Sequence, residues 1–207
     1  MLPEAPRMSA TPAHADPAAL RARLAALPGV SVRDTDHAAL GYDLEVRVPA
    51  TAVPEAVGLL DAAGYFLEGM TGVDWLGERE TLLKEAKAKA AAAAKAAADA
   101  EAAADGAATA PAAAPQEAAP GIPEEDELEV VYDCNRYAAR HRVSVRGRVP
   151  RSAPQLPSIA QIYPIAHWHE REIHEFFGIV FTGHPYLVPL LLPEDADYHP
   201  LLKDYGA

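Results

Sequence analysis

The sequence predicts an α+β fold: a small mixed sheet with packed helices, followed by an extended C-terminal motif segment. Three observations carry this. Helix-period and strand-period apolar patterns alternate between residues 17 and 76. Residues 77–124 then largely abandon large apolar side chains. Strand patterns resume after 125 and lead into a helix rich in histidine and glutamate and a proline-broken tail.

The elements follow in order. Residues 1–16, with Pro, Ala, Ser and Thr and no apolar period, read as a frayed, disordered tail. Asp16-Pro17 opens a helix, because Asp suits a capping position and Pro the first turn. Leu20, Leu24 and Leu27 share one face, and Pro28-Gly29 ends it. Residues 42–48 set Tyr42, Leu44, Val46 and Val48 against Asp43, Glu45 and Arg47, the alternation of a half-buried strand. A second helix is expected over 54–63, with Val57 and Leu60 inward and Gly64 as its stop. A strand from 65–70 continues towards Val73-Asp74-Trp75.

Residues 84–120, KEAKAKAAAAAKAAADAEAAADGAATAPAAAPQEAAP, are mostly alanine with Lys, Glu and Asp. Their first part suits a solvated helix, since alanine is the least costly helix former. With no large apolar side chain, the block cannot dock firmly, and the proline-rich stretch 111–123 must be extended. Residues 77–124 therefore read as a linker or insertion, a passive spacer within one domain made of 17–76 and 125–207. Strands return at 128–132 and at 141–149, where Val143, Val145, Gly147 and Val149 alternate with Arg142, Ser144, Arg146 and Arg148. The strands flanking the insertion are expected to pair. The insertion is then an overgrown hairpin loop, which is tolerable because closure entropy grows only with the logarithm of length. A helical stretch over 156–162 breaks at Pro164, and a second helix runs over 165–177 to Gly178.

The bulk properties exclude several functions. A net charge of -12 argues against a nucleic-acid binder and against a polybasic patch on anionic lipid. The one cysteine, Cys134, makes no internal disulfide and alone holds no zinc or iron–sulfur site. It reads as a small buried strand residue in a reducing, cytoplasmic setting. No apolar run reaches the roughly 18 residues of a membrane span, and residues 1–17 lack a signal-peptide core. Membrane contact is left to partners.

The stretch HWHEREIHEFFGIVFTGHP, 167–185, admits three chemistries. A helical zinc motif needs histidines four apart, whereas His169 and His174 are five apart, about 140° further round. His167 and His174 do share a face, and with His184 they form a candidate metal set. Glu170 and Glu172 diverge by about 200° and cannot act together as acid and base on one atom. The third reading is a docking or core-locking element. In it Trp168, Phe176 and Phe177 bury their rings, while Arg171 and Glu172 form ion pairs that set an interface register. Within the helix, Arg171 stands four residues from both His167 and Glu175, and Glu170 four from His174, so each pair can touch.

LPSIAQIYPIAHWHEREIHEFFGIVFTGHP and LLLPEDADYHPLLKDY together resemble the 30 kDa subunit family of respiratory complex I, the bacterial NADH-quinone oxidoreductase. The motif residues are Trp168, then Glu170, Arg171 and Glu172, then Glu175, Phe176, Phe177, Gly178 and Ile179. Phe181, Gly183, His184 and Pro185 follow, and later His199, Pro200 and Leu201 with Lys203, Asp204 and Tyr205. Thr71-Gly72-Val73-Asp74 is compatible in order but less specific. The resemblance implies a subunit without cofactor or chemistry of its own, with flavin, iron–sulfur clusters and quinone in its partners. It implies packing against the large quinone-site subunit and its iron–sulfur neighbour, at the cytoplasmic side of the bacterial inner membrane. On this basis the partner-interface candidates are Trp168, Glu170, Arg171, Glu172, Glu175, Gly178, His184, Pro185, His199, Pro200, Lys203, Asp204 and Tyr205.

The sequence also departs from the family pattern. Val188, Pro189 and Leu202 stand where the family usually carries arginines, which removes three bidentate carboxylate binders. An energy-converting nickel–iron hydrogenase with a homologous subunit is one alternative. A stand-alone metal-binding protein using His167, His174 and His184 is another. If the insertion is a spacer, deleting 84–120 and closing the gap with a short turn will leave a chain that unfolds cooperatively in urea. Loss of that transition would make the segment structural.

Overall fold

The computed structural model describes residues 16–103 and 123–206. The tail expected at 1–15 and the extended stretch at 111–122 lie outside these residues.

Helix α1 (Pro17–Ala25) turns Leu20 and Leu24 fully inward, with Leu27 packing at the core margin. Pro17 occupies the first turn as expected. The Asp16 side chain makes no cap; its main-chain carbonyl accepts the Leu20 N–H instead at 3.0 Å. Two short elements follow that no periodic pattern announced, β1 (Ser31–Asp34) and α2 (His37–Leu40). Four residues are too few to show a period, although Asp36 does cap α2 through the Ala38 N–H. Strand β2 (Leu44–Pro49), helix α3 (Val53–Ala62) and strand β3 (Phe66–Asp74) match the expected order. Helix α4 (Glu78–Ala103) takes up the first part of the alanine-rich block. Then come β4 (Glu127–Arg136), β5 (His141–Pro150), β6 (Gln155–Pro157), α5 (Ala166–Phe177) and β7 (Val180–Thr182).

The five-stranded sheet has the order β1-β2-β5-β4-β3. β1 and β2 are antiparallel, β2 and β5 parallel, and β3 and β4 antiparallel, so the sheet is mixed as expected. The strands on either side of the insertion do pair, with Gly72 opposite Val130 and Asp74 opposite Leu128. The chain divides into two compact units, one ending at Asp74 and resuming at Leu128, the other spanning Trp75–Glu127. Within the second unit, Arg79 donates its main-chain N–H to Asp126 and its side-chain Nε–H to the Pro123 carbonyl.

The expected helix over 156–162 is not formed. Residues Gln155–Pro157 pair in parallel with Val180–Thr182 as a separate two-stranded ribbon, and a turn follows. Proline in the first turn does not forbid a helix, but the downstream strand supplies main-chain partners instead.

The register puts Leu44, Val46 and Val48 beside Val143, Val145 and Gly147 on one face. Leu128, Val130, Tyr132 and Cys134 of β4 are also buried in this core. Helices cover it closely: a Cβ on Gly147 would stand 3.1 Å from Val53 of α3. Burial pushes the Cys134 thiol up to about 12, with Asp133 and Glu68 adding to the shift, so it is an inert core residue. On the other face Glu45 accepts from Arg33, Arg47 and Tyr42, and Glu129 from Arg146 and Arg148. Both carboxylates are buried beneath those side chains.

At Gly72 the Phe177 ring of α5 lies directly on the strand, where a Cβ would meet ring carbons at 2.5 and 2.6 Å. Gly72→Ala is therefore expected to lower stability by about 1–3 kcal/mol through overpacking. Urea melts measure it, and adding Phe177→Leu should recover part of the loss. A neutral Gly72→Ala would mean that α5 seats less tightly on β3.

Candidate functional site

Helix α5 brings most of the motif together. Ala166, Glu170 and Ile173 fall on its buried side, with Glu175 also buried. Gly178 ends the helix in the left-handed region at φ 73°, where glycine is favoured. It also leaves room for the His199 ring, which a Cβ there would approach to 2.9 Å.

From Gly183 to Gly206 the chain forms neither helix nor strand. This strap lies along α5, whose Arg171 and Glu175 side chains pair five of its main-chain groups. Arg171 donates from Nε to the Val188 carbonyl at 2.9 Å and from its terminal nitrogen to the Pro189 carbonyl at 2.7 Å. The Glu175 carboxylate accepts the N–H groups of Leu190, Leu191 and Leu192 at 2.7, 3.0 and 3.1 Å. His199 Nδ1 donates to the Glu175 carbonyl, and the Leu201 N–H to the Phe176 carbonyl.

His184 fastens the near end of the strap. Its Nδ1 accepts the Tyr186 N–H at 3.1 Å, so the proton must sit on Nε2, which donates to the His167 carbonyl at 3.2 Å. Burial lowers its pKa, while the His167 bond opposes the shift; both the geometry and the shift favour the neutral ring. Arg151 fastens the far end. It forms ion pairs with Asp74, at the end of β3, and with Asp204 at 3.0 and 2.7 Å, and Asp74 also accepts the Lys203 N–H at 2.9 Å. A cavity of about 200 Å³ lies under this end, bordered by Leu128, Arg151, Phe177, His199 and Leu202.

The glutamates of the motif diverge. Glu170 is fully buried and accepts from the Ser158 hydroxyl at 2.5 Å and the Ile159 N–H at 2.7 Å. The buried His184 ring lies 3.9 Å away. Burial raises the Glu170 pKa to about 7, against the two hydrogen bonds. Tyr132, fully buried on β4, has a hydroxyl without a hydrogen-bond partner among the described residues, and burial followed by the Glu170 charge raises its pKa.

Spacing allows i,i+4 pairs on the helix surface. Instead Arg171 and Glu175 turn to the strap, Glu170 to the 158–159 turn, and His174 to the Ile179 carbonyl at 2.9 Å. Buried main-chain groups left unpaired cost more than a solvated ion pair returns. Glu172 is half-buried and has no ion pair among the described residues. Of the candidate metal set, His167 and His184 come together with ring centroids 4.6 Å apart. No group of three potential ligands suited to a metal occurs among the described residues.

The other interface candidates lie as follows. Trp168, Pro185, Lys203, Asp204 and Tyr205 are exposed, while Gly178, His199 and Pro200 are half-buried. Asp74, Arg151, Ser158 and Tyr186 were missed as site residues. Only Thr71-Gly72-Val73-Asp74 signalled any of them, since it contains both Gly72 under Phe177 and Asp74 under Arg151.

Glu170 predicts a pH dependence. Its unfolded carboxyl ionises near 4.5 and its folded one near 7, so between these values the folded state binds the extra proton. Its contribution is present below 4.5 and lost as pH rises through 7, to a total of at most about 3 kcal/mol. Glu170→Gln, which copies the neutral carboxyl, should remove that component from urea melts taken between pH 4.5 and 7.5. A wild-type-minus-variant difference that stays flat with pH would contradict the assignment.

Residues 46–207 match the family described as respiratory-chain NADH dehydrogenase, 30 Kd subunit. An NADH-quinone oxidoreductase subunit from Roseiflexus castenholzii is 48% identical over 80 residues, 39% of this chain and 46% of that protein. Its counterpart from Chlorobium phaeobacteroides is 44% identical over 84 residues, 40% of this chain and 51% of that protein. The matched stretch thus spans about half the length of these relatives. Among solved structures, a chain of the membrane-bound sulfane sulfur reductase, an archaeal respiratory membrane complex, superposes with a TM-score of 0.56. At 20% identity, covering 87% of this chain and 79% of that one, this likeness concerns the fold alone. With the family match covering more than half of its residues, including α5, the strap and the Asp74–Arg151 clamp, the chain belongs to the respiratory-chain NADH dehydrogenase 30 Kd subunit family.

Proposed function

We propose that this chain is a non-catalytic accessory subunit of a membrane-associated NADH-quinone oxidoreductase of the complex I type. It braces the quinone-reducing module while electrons pass from NADH to quinone, a transfer that the assembly couples to ion translocation. Flavin, iron–sulfur clusters and quinone belong to partner subunits in this reading. The chain packs on the large quinone-site subunit and the adjacent iron–sulfur subunit, peripherally at the cytoplasmic side of the membrane. No helix among the described residues is long and apolar enough to cross a membrane.

The observation that carries the reading is how the family motif is used. Its ionic side chains, the buried Glu170 and Glu175 and the half-buried Arg171, bind the chain's own backbone. What the motif leaves outside includes the exposed Trp168 ring, stacked near the Arg171 guanidinium. This division suits a part that holds other parts.

The lost arginines favour a second reading, the equivalent subunit of an energy-converting nickel–iron hydrogenase. Val188 and Pro189 present only their carbonyls to Arg171, and Leu202 borders the small cavity. Purification from native membranes in gentle detergent separates the two: a flavin-containing NADH module supports the first, a nickel–iron subunit the second. A stand-alone metal protein would instead bring stoichiometric zinc or nickel that His174→Ala removes.

Arg171→Ala should cut the amount of partner subunits that co-purify, because it frees the Val188 and Pro189 carbonyls and loosens the strap. Full assembly of the variant with lost turnover would argue against a bracing role.

A further inference from the structure

Helix α5, its N-terminal flank and the strap carry exposed apolar side chains, here called the ledge. Ile165, Trp168, Tyr186 and Leu191 are 51%, 55%, 61% and 66% exposed. Two of them are held in place. The Arg171 guanidinium lies 5.7 Å from both the Trp168 and the Tyr186 ring centroids, and the Val188 and Pro189 carbonyls fix it there. A preset aromatic pair loses little rotamer freedom on binding. Trp, Tyr and Arg are also the residue types that dominate interface energetics.

Along residues 186–198 of the strap the charge has one sign. Past Leu191 the strap turns through Glu194, Asp195 and Asp197, all exposed, and their carboxylates have no hydrogen bond or ion pair among the described residues. Residues 186–198 contain no lysine or arginine. The neighbouring guanidinium groups are committed, Arg171 to the strap carbonyls and Arg151 to Asp74 and Asp204.

We propose that this ledge docks a partner-subunit surface that places lysine or arginine side chains around apolar pockets. The inference rests on the accessory-subunit reading and specifies the chemistry of the matching face. Complementary charge steers the encounter and fixes register, while the aromatic pair supplies buried contact. An anionic lipid surface would be repelled by the three carboxylates. A second copy of this chain would set acidic strap against acidic strap.

The test uses the full chain in its native assembly, isolated in gentle detergent. Leu191→Cys adds an exposed thiol to a chain whose own Cys134 is buried and poorly ionised. Maleimide should label it quickly in the free, monomeric chain and at least about tenfold more slowly in the assembly. Adding Glu194→Lys, Asp195→Lys and Asp197→Lys should reduce co-purification and restore labelling, with the isolated chain's melt unchanged. Persistent protection after this charge reversal would overturn the basic partner face and leave docking intact. Equally fast labelling in free chain and assembly would overturn the ledge as an interface while the accessory reading stands. Protection in the free chain with a doubled mass would assign the ledge to a second copy and overturn the proposal. If no respiratory subunits co-purify even with the unmodified chain, the accessory reading fails and the proposal with it.

Discussion

The C-terminal half of this structure depends on one constraint: a strap with no helix or strand of its own must still pair the main-chain groups it buries. Unpaired, each such group costs on the order of 1–3 kcal/mol. Glu175 takes three consecutive N–H groups and Arg171 two consecutive carbonyls. Their spacing makes this possible. Four residues of helix rise about 6 Å, close to two residues of extended chain at about 3.3 Å each. Side chains one turn apart on α5 therefore meet strap groups about two residues apart, with both segments running in the same direction. An acceptor-only carboxylate suits a run of N–H groups, and a donor-only guanidinium suits carbonyls. Exchanging the two would leave both sets unpaired.

The same constraint explains why the charges are internal. Glu170 faces the other way, towards Ser158 and Ile159, and ties the turn after β6 to the helix. It has one N–H and one hydroxyl in a fully buried setting, which leaves its ionised form poorly compensated, hence the pKa near 7. His184 completes this region as a neutral strut, with one nitrogen accepting from the strap and the other donating to α5. Chemistry that looks like a surface of ions in sequence is thus an internal frame of hydrogen bonds.

Much of the fold was legible. Period-two alternation located β2 and β5, and Leu20, Leu24, Val57 and Leu60 located the helices that cover the sheet. The pairing across the insertion followed from the apolar strands on either side of it. Short elements such as β1 and α2 lacked enough residues to declare a period. The stretch 156–162, read as helical, instead starts as a strand paired with Val180–Thr182. The site was legible in its residues but less so in its directions. Spacing shows which helical side chains are able to meet. It does not show that a strap without periodicity will outcompete those pairs, because that competition arises only once the strap's own groups are desolvated.

Two distant stretches meet at the far end of the strap, and their meeting accounts for residues that sequence alone left vague. Gly72 is small because Phe177 sits on it, and Gly178 is small because His199 sits on it. Two residues beyond Gly72, Asp74 receives both Arg151 and the Lys203 N–H. The pleat puts Gly72 and Asp74 on one face of β3, so one stretch of strand seats the end of α5 and anchors the end of the strap. With His184 holding the near end, Arg171 and Glu175 the middle and Asp74 the far end, the strap's position is set from inside the chain. The rings and carboxylates on its outer side are then presented in an order that does not depend on a partner to create it.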